Sequence, residues 1–317
     1  MIPLLLFVLG TNIGSFLNVC IWRMPRHESV AHPPSHCPNC NTRLSGLDLI
    51  PLLSQLILGG KCRYCGARFS WRYFGVELLT GILFLLVGLQ GGNLADGSFF
   101  ALWTGDIARL ARDLIFVSTL VVVFFVDYDT KLIQLESVLL MGLAGVAYEA
   151  WQISQGARLE TGAWFAPLLP ALIPASLLAM VVCAALLFGV RALFSALYKK
   201  EALGFGDVLL VAAIAANLGW NATLLTFFFL AATLGAFIGV SAQIPRAIRS
   251  YQWGKERTRR HGGRQIAGLL ARRAFRKVMP FGPMLAIGAI TALLYGAQIN
   301  TAYMRFITPE PSMFGLR

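Results

Sequence analysis

The sequence predicts an all-α polytopic membrane protein, with about eight transmembrane helices and a small zinc-binding domain between the first two. Of its 317 residues, 57% are hydrophobic and 13% are charged, whereas a soluble domain has about 45–50% and about 25%. Apolar segments long enough to cross a bilayer recur along the chain, with polar connections between them. We expect helices at about 2–22, 73–91, 107–126, 133–153, 169–197, 207–220, 221–244 and 281–298.

The charges of the connections predict the orientation of these helices. Lys and Arg concentrate in residues 23–72, 127–132, 198–206 and 245–280, which alternate with connections poor in basic residues. Cytoplasmic loops of membrane proteins are the ones enriched in Lys and Arg, so this face is cytoplasmic. The first helix follows the same rule, because Met1–Gly10 has no basic residue and Arg23 and Arg26 come after it. This order is the reverse of a cleaved signal peptide and predicts a retained helix.

Three units follow from this organisation. Residues 1–22 form the first transmembrane helix, 23–72 a cytoplasmic zinc-binding domain, and 73–317 a transmembrane catalytic domain. Within the second unit, Leu47–Gly60 is apolar but too short to span, so we expect a surface or re-entrant helix there.

A basic cytoplasmic loop, residues 245–280, carries most of the net charge of +12. It holds eleven Lys and Arg residues and one Glu. Such a loop acts as a topology signal, and membrane lipid headgroups or a protein partner are the alternative contacts. We expect no nucleic-acid partner, because no recognised binding motif accompanies the charge.

Four cysteines predict a metal site. Cys37 and Cys40 form one C-x2-C pair, and Cys62 and Cys65 form a second. Four thiolates at this spacing can close a tetrahedral zinc site with no open position, which is a structural rather than a catalytic site. Two disulfides are the alternative, which a reducing cytoplasm disfavours. Nearby histidines, at positions 27, 32 and 36, are not expected to be ligands.

Two acidic clusters predict the catalytic chemistry. Asp207 follows Gly204 and Gly206 at the start of an apolar helix, and Asp127 follows another apolar run. Two carboxylates facing each other from different helices can share a proton and activate water. Asp129 is the competing partner, but we favour Asp127 because it adjoins the apolar run. A solvated helix N-cap is the alternative for Asp207.

Other acids at the membrane edge are assigned structural roles. Glu77 and Glu136 lie at the membrane edge, where they could pair with Arg72 or Lys131.

These motifs, taken in order, resemble the type IV prepilin peptidases, membrane aspartyl proteases with a GxGD motif. The resemblance covers nearly the whole chain. It is carried by residues 14–18 and 23–25 at the opening, the two C-x2-C pairs, the aspartate motifs at 126–129 and 204–207, and Pro280-Phe281-Gly282-Pro283 before the last helix. The chain departs from the family pattern at Gln134-Leu135, where Pro-Asp is usual, and at Leu209, where Lys is usual.

The resemblance implies an endopeptidase with Asp127 and Asp207 as catalytic residues, supported by Tyr128, Gly204 and Gly206. It implies cleavage of type IV prepilins or type II secretion pseudopilins at the cytoplasmic face of the bacterial inner membrane. Many members also methylate the new N-terminus with S-adenosylmethionine. A proton-coupled transporter and a zinc-stabilised membrane scaffold are the alternative functions, and separate Asp→Asn changes distinguish them from a protease.

Overall fold

The computed structural model describes residues 2–90, 107–156, 174–198, 204–261 and 280–307. Within these ranges the secondary structure is helical, apart from short turns and two isolated bridges. The α-helices are α1 (Ile2–Arg23), α2 (Leu53–Ile57), α3 (Arg72–Gln90), α4 (Ile107–Thr130), α5 (Leu135–Ser154), α6 (Ala175–Tyr198), α7 (Phe205–Leu218), α8 (Ala222–His261) and α9 (Gly282–Ile307).

The predicted class, an all-α polytopic membrane protein, is confirmed, but the count of about eight spans is not. Within the described ranges, five segments are long and apolar enough to cross a membrane, and they lie in α1, α3, α6, α8 and α9. Helix α7 is apolar but has 14 residues. At 1.5 Å per residue it is about 21 Å long, less than the roughly 30 Å of a bilayer core.

Helices α1 and α3 pack with their backbones in close contact. A Cβ atom on Gly14 would lie 2.7 Å from the Cα of Glu77, and one on Gly10 would lie 2.8 Å from the Cα of Gly81. Small residues allow this approach between membrane helices. Asn18 adds a polar contact by donating from Nδ2 to the carbonyl of Tyr73 at 3.1 Å. The polar stretch of the first helix therefore faces a neighbouring helix.

Helices α4 and α7 lie at the centre of the bundle. Helix α4 packs against α1, α3, α5 and α9, and α7 packs chiefly against α5 and α6. Nearly all of α7, from Val208 to Leu218, is buried, and so is the apolar face of α4 around Leu120 and Val121. A helix enclosed by protein in this way is apolar all round. The two aspartate motifs therefore belong to helices that have protein neighbours on several sides.

Two predicted helix ends are wrong. Helix α4 continues through the aspartate motif to Thr130 instead of ending near 126, and α8 continues through Pro245 to His261. The first part of the predicted basic loop is thus helical, and residues 262–279 lie outside the described ranges. Hydropathy marks where a helix leaves the membrane, whereas hydrogen bonding decides where the helix ends. The surface or re-entrant helix expected at Leu47–Gly60 consists of two short pieces, a 3₁₀ turn (Gly46–Leu49) and α2, separated at Leu52, whose φ is +62°.

Most outward-facing connections of the predicted topology lie outside the described residues. These are 92–106 and most of 154–168. Residues 199–203, predicted to be cytoplasmic, and the tail from 308 also lie outside the described residues.

Candidate active site and metal centre

Asp127 lies in the last turn of α4, with 5% of its surface exposed. Its Oδ2 accepts a hydrogen bond of 2.9 Å from the backbone N–H of Gly282. Gly282 is the first residue of α9. The free N–H groups and the dipole at a helix N-terminus favour a negative charge. The carboxylate therefore has a fixed position although it is buried at a helix end.

Asp207 lies in the first turn of α7 and is half-buried. The N-cap residue of this helix is Gly204, and Asp207 is the third helical residue. Its carboxylate reaches back to the backbone N–H of Gly204, which is one half of a capping box. Asp207 is therefore not the N-cap residue itself, although its side chain caps the same helix end.

The fold brings Asp127 and Asp207 together. Their carboxylates lie within electrostatic range of each other. The connection from α4 to α5 lies against the start of α7, because a Cβ atom on Gly206 would be 3.0 Å from the Cβ of Ile133. Glycine at position 206 permits this approach. The site thus contains two acids from separate helices.

Asp129 is exposed on the opposite side of the same turn and has a different partner. Its Oδ2 forms an ion pair of 2.6 Å with a guanidinium nitrogen of Arg72. The Arg72 guanidinium also lies 4.8 Å from the ring centroid of Phe125. Asp129 is therefore held by α3 and turned away from the buried acid, which favours Asp127 as the partner of Asp207.

The pairing of Glu77 with Arg72 that the sequence suggested is not formed. Arg72 pairs with Asp129, and Glu77 instead accepts the backbone N–H of Leu52 at 2.8 Å. The sequence could not reveal this choice, because it depends on how the four-cysteine domain (residues 24–71) sits on α3. Tyr128, the predicted supporting residue, is 67% exposed next to Asp127.

The four predicted metal ligands converge. The Sγ atoms of Cys37, Cys40, Cys62 and Cys65 all lie within 4.8 Å of one another, and no disulfide links them. The Sγ atoms of Cys37 and Cys65 are 3.8 Å apart. Zn–S bonds of about 2.3 Å in tetrahedral geometry give S–S edges of about 3.8 Å. The cluster therefore has the size and donor chemistry of a four-thiolate metal site, and within the described residues no histidine belongs to it.

Each C-x2-C pair sits in the same kind of turn. The N–H of Asn41 donates to the carbonyl of Cys37, and the N–H of Gly66 donates to that of Cys62, both at 2.9 Å. Asn41 and Gly66 have φ values of +54° and +70°. Asn and Gly are the residues that adopt this left-handed conformation most readily. The two turns therefore present their thiols in matching directions.

Asp48 connects the turn that contains it to the second C-x2-C pair. Its carboxylate accepts hydrogen bonds from the Ser45 hydroxyl at 2.7 Å and from Arg63 at 2.6 Å. The Ser45 hydroxyl, followed by the Arg63 guanidinium, lowers the pKa of Asp48 to about 2. The ionised form is thus the one that holds this part of the domain together at neutral pH.

Together these features define a polytopic membrane protein with a paired-aspartate site and a four-cysteine centre next to the first helix. The Bacterial Peptidase A24 N-terminal domain matches residues 8–90, and the Type IV leader peptidase family matches residues 114–240. The chain belongs to the type IV leader peptidase family.

Curated relatives extend this similarity over most of the chain. The prepilin leader peptidase/N-methyltransferase of Bacillus subtilis is 31% identical over 95% of this chain and 97% of its own length. The protein of the same name from Aeromonas hydrophila is 33% identical, covering 95% and 93%. The one from Myxococcus xanthus is 36% identical over 74% of this chain, and the match spans 61% of that relative. No solved structure is significantly similar to the chain.

Two site residues were not assigned a role from the sequence. Gly282 was noted only as part of the entry to the last helix, and Arg72 only as an expected partner of Glu77. Both act through tertiary contacts, with Asp127 and Asp129 respectively. For Gly282, the motif at residues 280–283 was the only signal in the sequence.

Proposed function

We propose that the chain is a membrane aspartyl endopeptidase that removes the leader peptide of type IV prepilins or type II secretion pseudopilins. It then N-methylates the new N-terminus. Its relatives carry both activities in their names. The observation that carries the proposal is the convergence of Asp127 and Asp207 from α4 and α7, with the first acid held by the N–H of Gly282.

The chemistry follows from two adjacent carboxyl groups that share one proton. The ionised carboxylate removes a proton from a water molecule, which attacks the scissile carbonyl. The protonated carboxyl then donates to the leaving amine. The exposed Tyr128 and the glycine backbone at 204 and 206 form the surroundings of the two acids and would orient the peptide.

The remaining assignments are parts of the same proposal. Cys37, Cys40, Cys62 and Cys65 hold one structural Zn²⁺, because four thiolates leave no coordination position for a substrate. The protein resides in the bacterial inner membrane, with the four-cysteine centre and both acids on the cytoplasmic side. Membrane lipids contact the basic segment that begins in α8.

The test is co-expression of each variant with a candidate prepilin, followed by mass analysis of the prepilin N-terminus. Asp127→Asn and Asp207→Asn should each lower cleavage by at least about 10²-fold, the contribution expected of a placed acid or base. Asp129→Asn is the matched control, since it removes a carboxylate two residues away, and it should retain substantial cleavage.

Two results would contradict the assignment. Normal cleavage by Asp127→Asn with none by Asp129→Asn would make Asp129 the partner of Asp207. Cleavage by Asp207→Asn at the normal rate would exclude the aspartyl mechanism.

A further inference from the structure

Helix α6 carries a charged residue inside its membrane-spanning part. The apolar span of α6, from Ala175 to Leu197, is 11% buried and has a mean hydropathy of 2.4. Arg191 is the only charged residue of this helix. It precedes the last helical residue, Tyr198, by about 10 Å along the axis. A charge at this depth in a membrane helix is costly, which makes Arg191 a candidate for a functional role.

Arg191 contacts the first residue of α7. The central carbon of its guanidinium lies 5.7 Å from the ring centroid of Phe205, within the roughly 6 Å range of a cation–π contact. Phe205 is 52% exposed and lies in the same helical turn as Asp207. The charged residue of α6 is thus joined to the turn that carries one of the two acids.

Helix α6 is itself anchored at its other end. Glu149 of α5 accepts hydrogen bonds from the backbone N–H groups of Ala175 and Ser176, at 2.6 and 2.8 Å, and from the Ser176 hydroxyl. A carboxylate at a helix N-terminus satisfies free N–H groups and is favoured by the helix dipole. Glu149 therefore fixes the start of α6, and Arg191 makes a polar contact near the opposite end.

The far end of α7 is held by α5. A Cβ atom on Gly145 would lie 2.7 Å from the carbonyl oxygen of Ala216. The Nδ2 atom of Asn217 donates to the carbonyl of Met141 at 2.8 Å. These contacts lie about 15 Å from Asp207 along the helix axis, so they do not by themselves fix the turn that carries this acid.

The first turn of α7 is held by two neighbouring segments. Gly206 meets Ile133 of the connection between α4 and α5, and Phe205 meets Arg191 of α6. The first contact is purely apolar and limits how closely the segments approach. The second is directional, because a cation is attracted to the face of an aromatic ring.

We propose that Arg191 is a positioning residue for Asp207. By holding the Phe205 ring it fixes the first turn of α7, and thereby the place of the Asp207 carboxylate relative to Asp127. Arg191 acts through Phe205 and is not a catalytic residue. The inference rests on the proposed peptidase function, because its consequence is a rate of leader cleavage.

The same ring can be reached by a cation from α7 itself. Leu209 lies one turn after Phe205 on the same face of the helix and is half-buried. Side chains of a helix lean towards its N-terminus, so Leu209→Lys would place an ammonium group against the Phe205 ring. Position 209 is also where this chain departs from the family pattern, which has Lys. Positions 191 and 209 are thus alternative sources of one cation.

The test compares kcat and KM for cleavage of a candidate prepilin by the full-length, zinc-loaded protein in nanodiscs. Arg191→Leu should lower kcat about tenfold, since a misplacement of up to 1 Å can cost about 10²-fold. KM should stay within about twofold, because the substrate does not contact Arg191. Arg191→Lys, and Leu209→Lys combined with Arg191→Leu, should each recover kcat to within about threefold of the unaltered protein.

Arg26→Leu is the matched control. The Arg26 guanidinium lies 3.7 Å from the ring centroid of Trp22, so this variant removes a contact of the same kind just after α1, and kcat should not change. Fluorine NMR of 4-fluorophenylalanine incorporated at Phe205 gives a readout that does not depend on activity. Arg191→Leu should shift or broaden its signal, and the added Leu209→Lys should return the signal towards that of the unaltered protein.

Each contrary result has a separate meaning. A normal kcat for Arg191→Leu, with no cleavage by Asp207→Asn, would overturn the positioning role and leave the proposed function standing. A loss that neither Arg191→Lys nor Leu209→Lys restores would also overturn it, because Arg191 would then serve only the folding of α6. Normal cleavage by Asp207→Asn, or none by the unaltered protein, would refute the proposed function instead. The fluorine signal would then decide whether Arg191 holds the first turn of α7.

Discussion

The carboxylate of Asp127 and the backbone N–H of Gly282 form a hydrogen bond of 2.9 Å across 155 positions of the chain. A Cβ atom at position 282 would lie 2.7 Å from Oδ2 and 3.0 Å from Cγ of the same carboxylate. The space at position 282 therefore requires glycine, whereas the hydrogen bond uses only its backbone N–H. The start of α9 sets the position of one of the two proposed catalytic acids.

Gly282→Ala should accordingly lower leader cleavage by about 10²-fold, because a displacement near 1 Å of a catalytic group has this effect. The rate of prepilin cleavage in membranes, at matched enzyme abundance, is the measurement. Gly239→Ala in α8 is the control, since a Cβ atom there meets nothing within 4 Å. Equal rates for the two variants would mean that this contact does not position Asp127.

Arg72 and Asp129 should behave as a coupled pair with a modest effect. Both side chains are more than one third exposed, so their ion pair is worth about 0.2–1 kcal/mol. Arg72→Ala and Asp129→Asn should each reduce the rate of cleavage by about fivefold or less. The double variant should cleave at about the rate of the less active of the two single variants. A double-mutant cycle on cleavage rates measures this coupling. Fully additive losses would show that the two residues act independently.

Removal of the metal should affect the four-cysteine domain before the membrane helices. Cys37→Ser should lose the single bound Zn²⁺ and expose residues 24–71 to proteolysis, because the metal holds the two C-x2-C turns together. Metal analysis and limited proteolysis report these changes. Cys183→Ser, a buried thiol of α6 outside the cluster, should retain the metal. Disulfides within each pair, in protein purified without an oxidant, would contradict the zinc assignment.

The orientation of the helices can be tested with an impermeant maleimide on the zinc-loaded protein. Ser250→Cys, in the basic end of α8, should react only from the cytoplasmic side, and Ser154→Cys, at the end of α5, only from the opposite side. Cys20 and Cys183 are buried and should remain unlabelled. Labelling of both introduced cysteines from one side would refute the topology.

Local sequence signals were sufficient to predict the membrane class, the cluster of four cysteines and the two acidic motifs. Long apolar segments, C-x2-C spacing and a carboxylate beside an apolar helix can each be interpreted from residues that are close together in the sequence. The left-handed turns at Asn41 and Gly66 were also predictable, because residue type limits the backbone conformation there.

The interaction partners of these residues could be identified only from the tertiary structure. The choice of Asp127 over Asp129 depends on burial and on the partner that each acid finds, Gly282 of α9 or Arg72 of α3. A cavity beside Glu77 forms because the four-cysteine domain folds back onto α1 and α3. Such contacts join residues far apart in the chain, and the free energy of packing, rather than any local pattern, selects them.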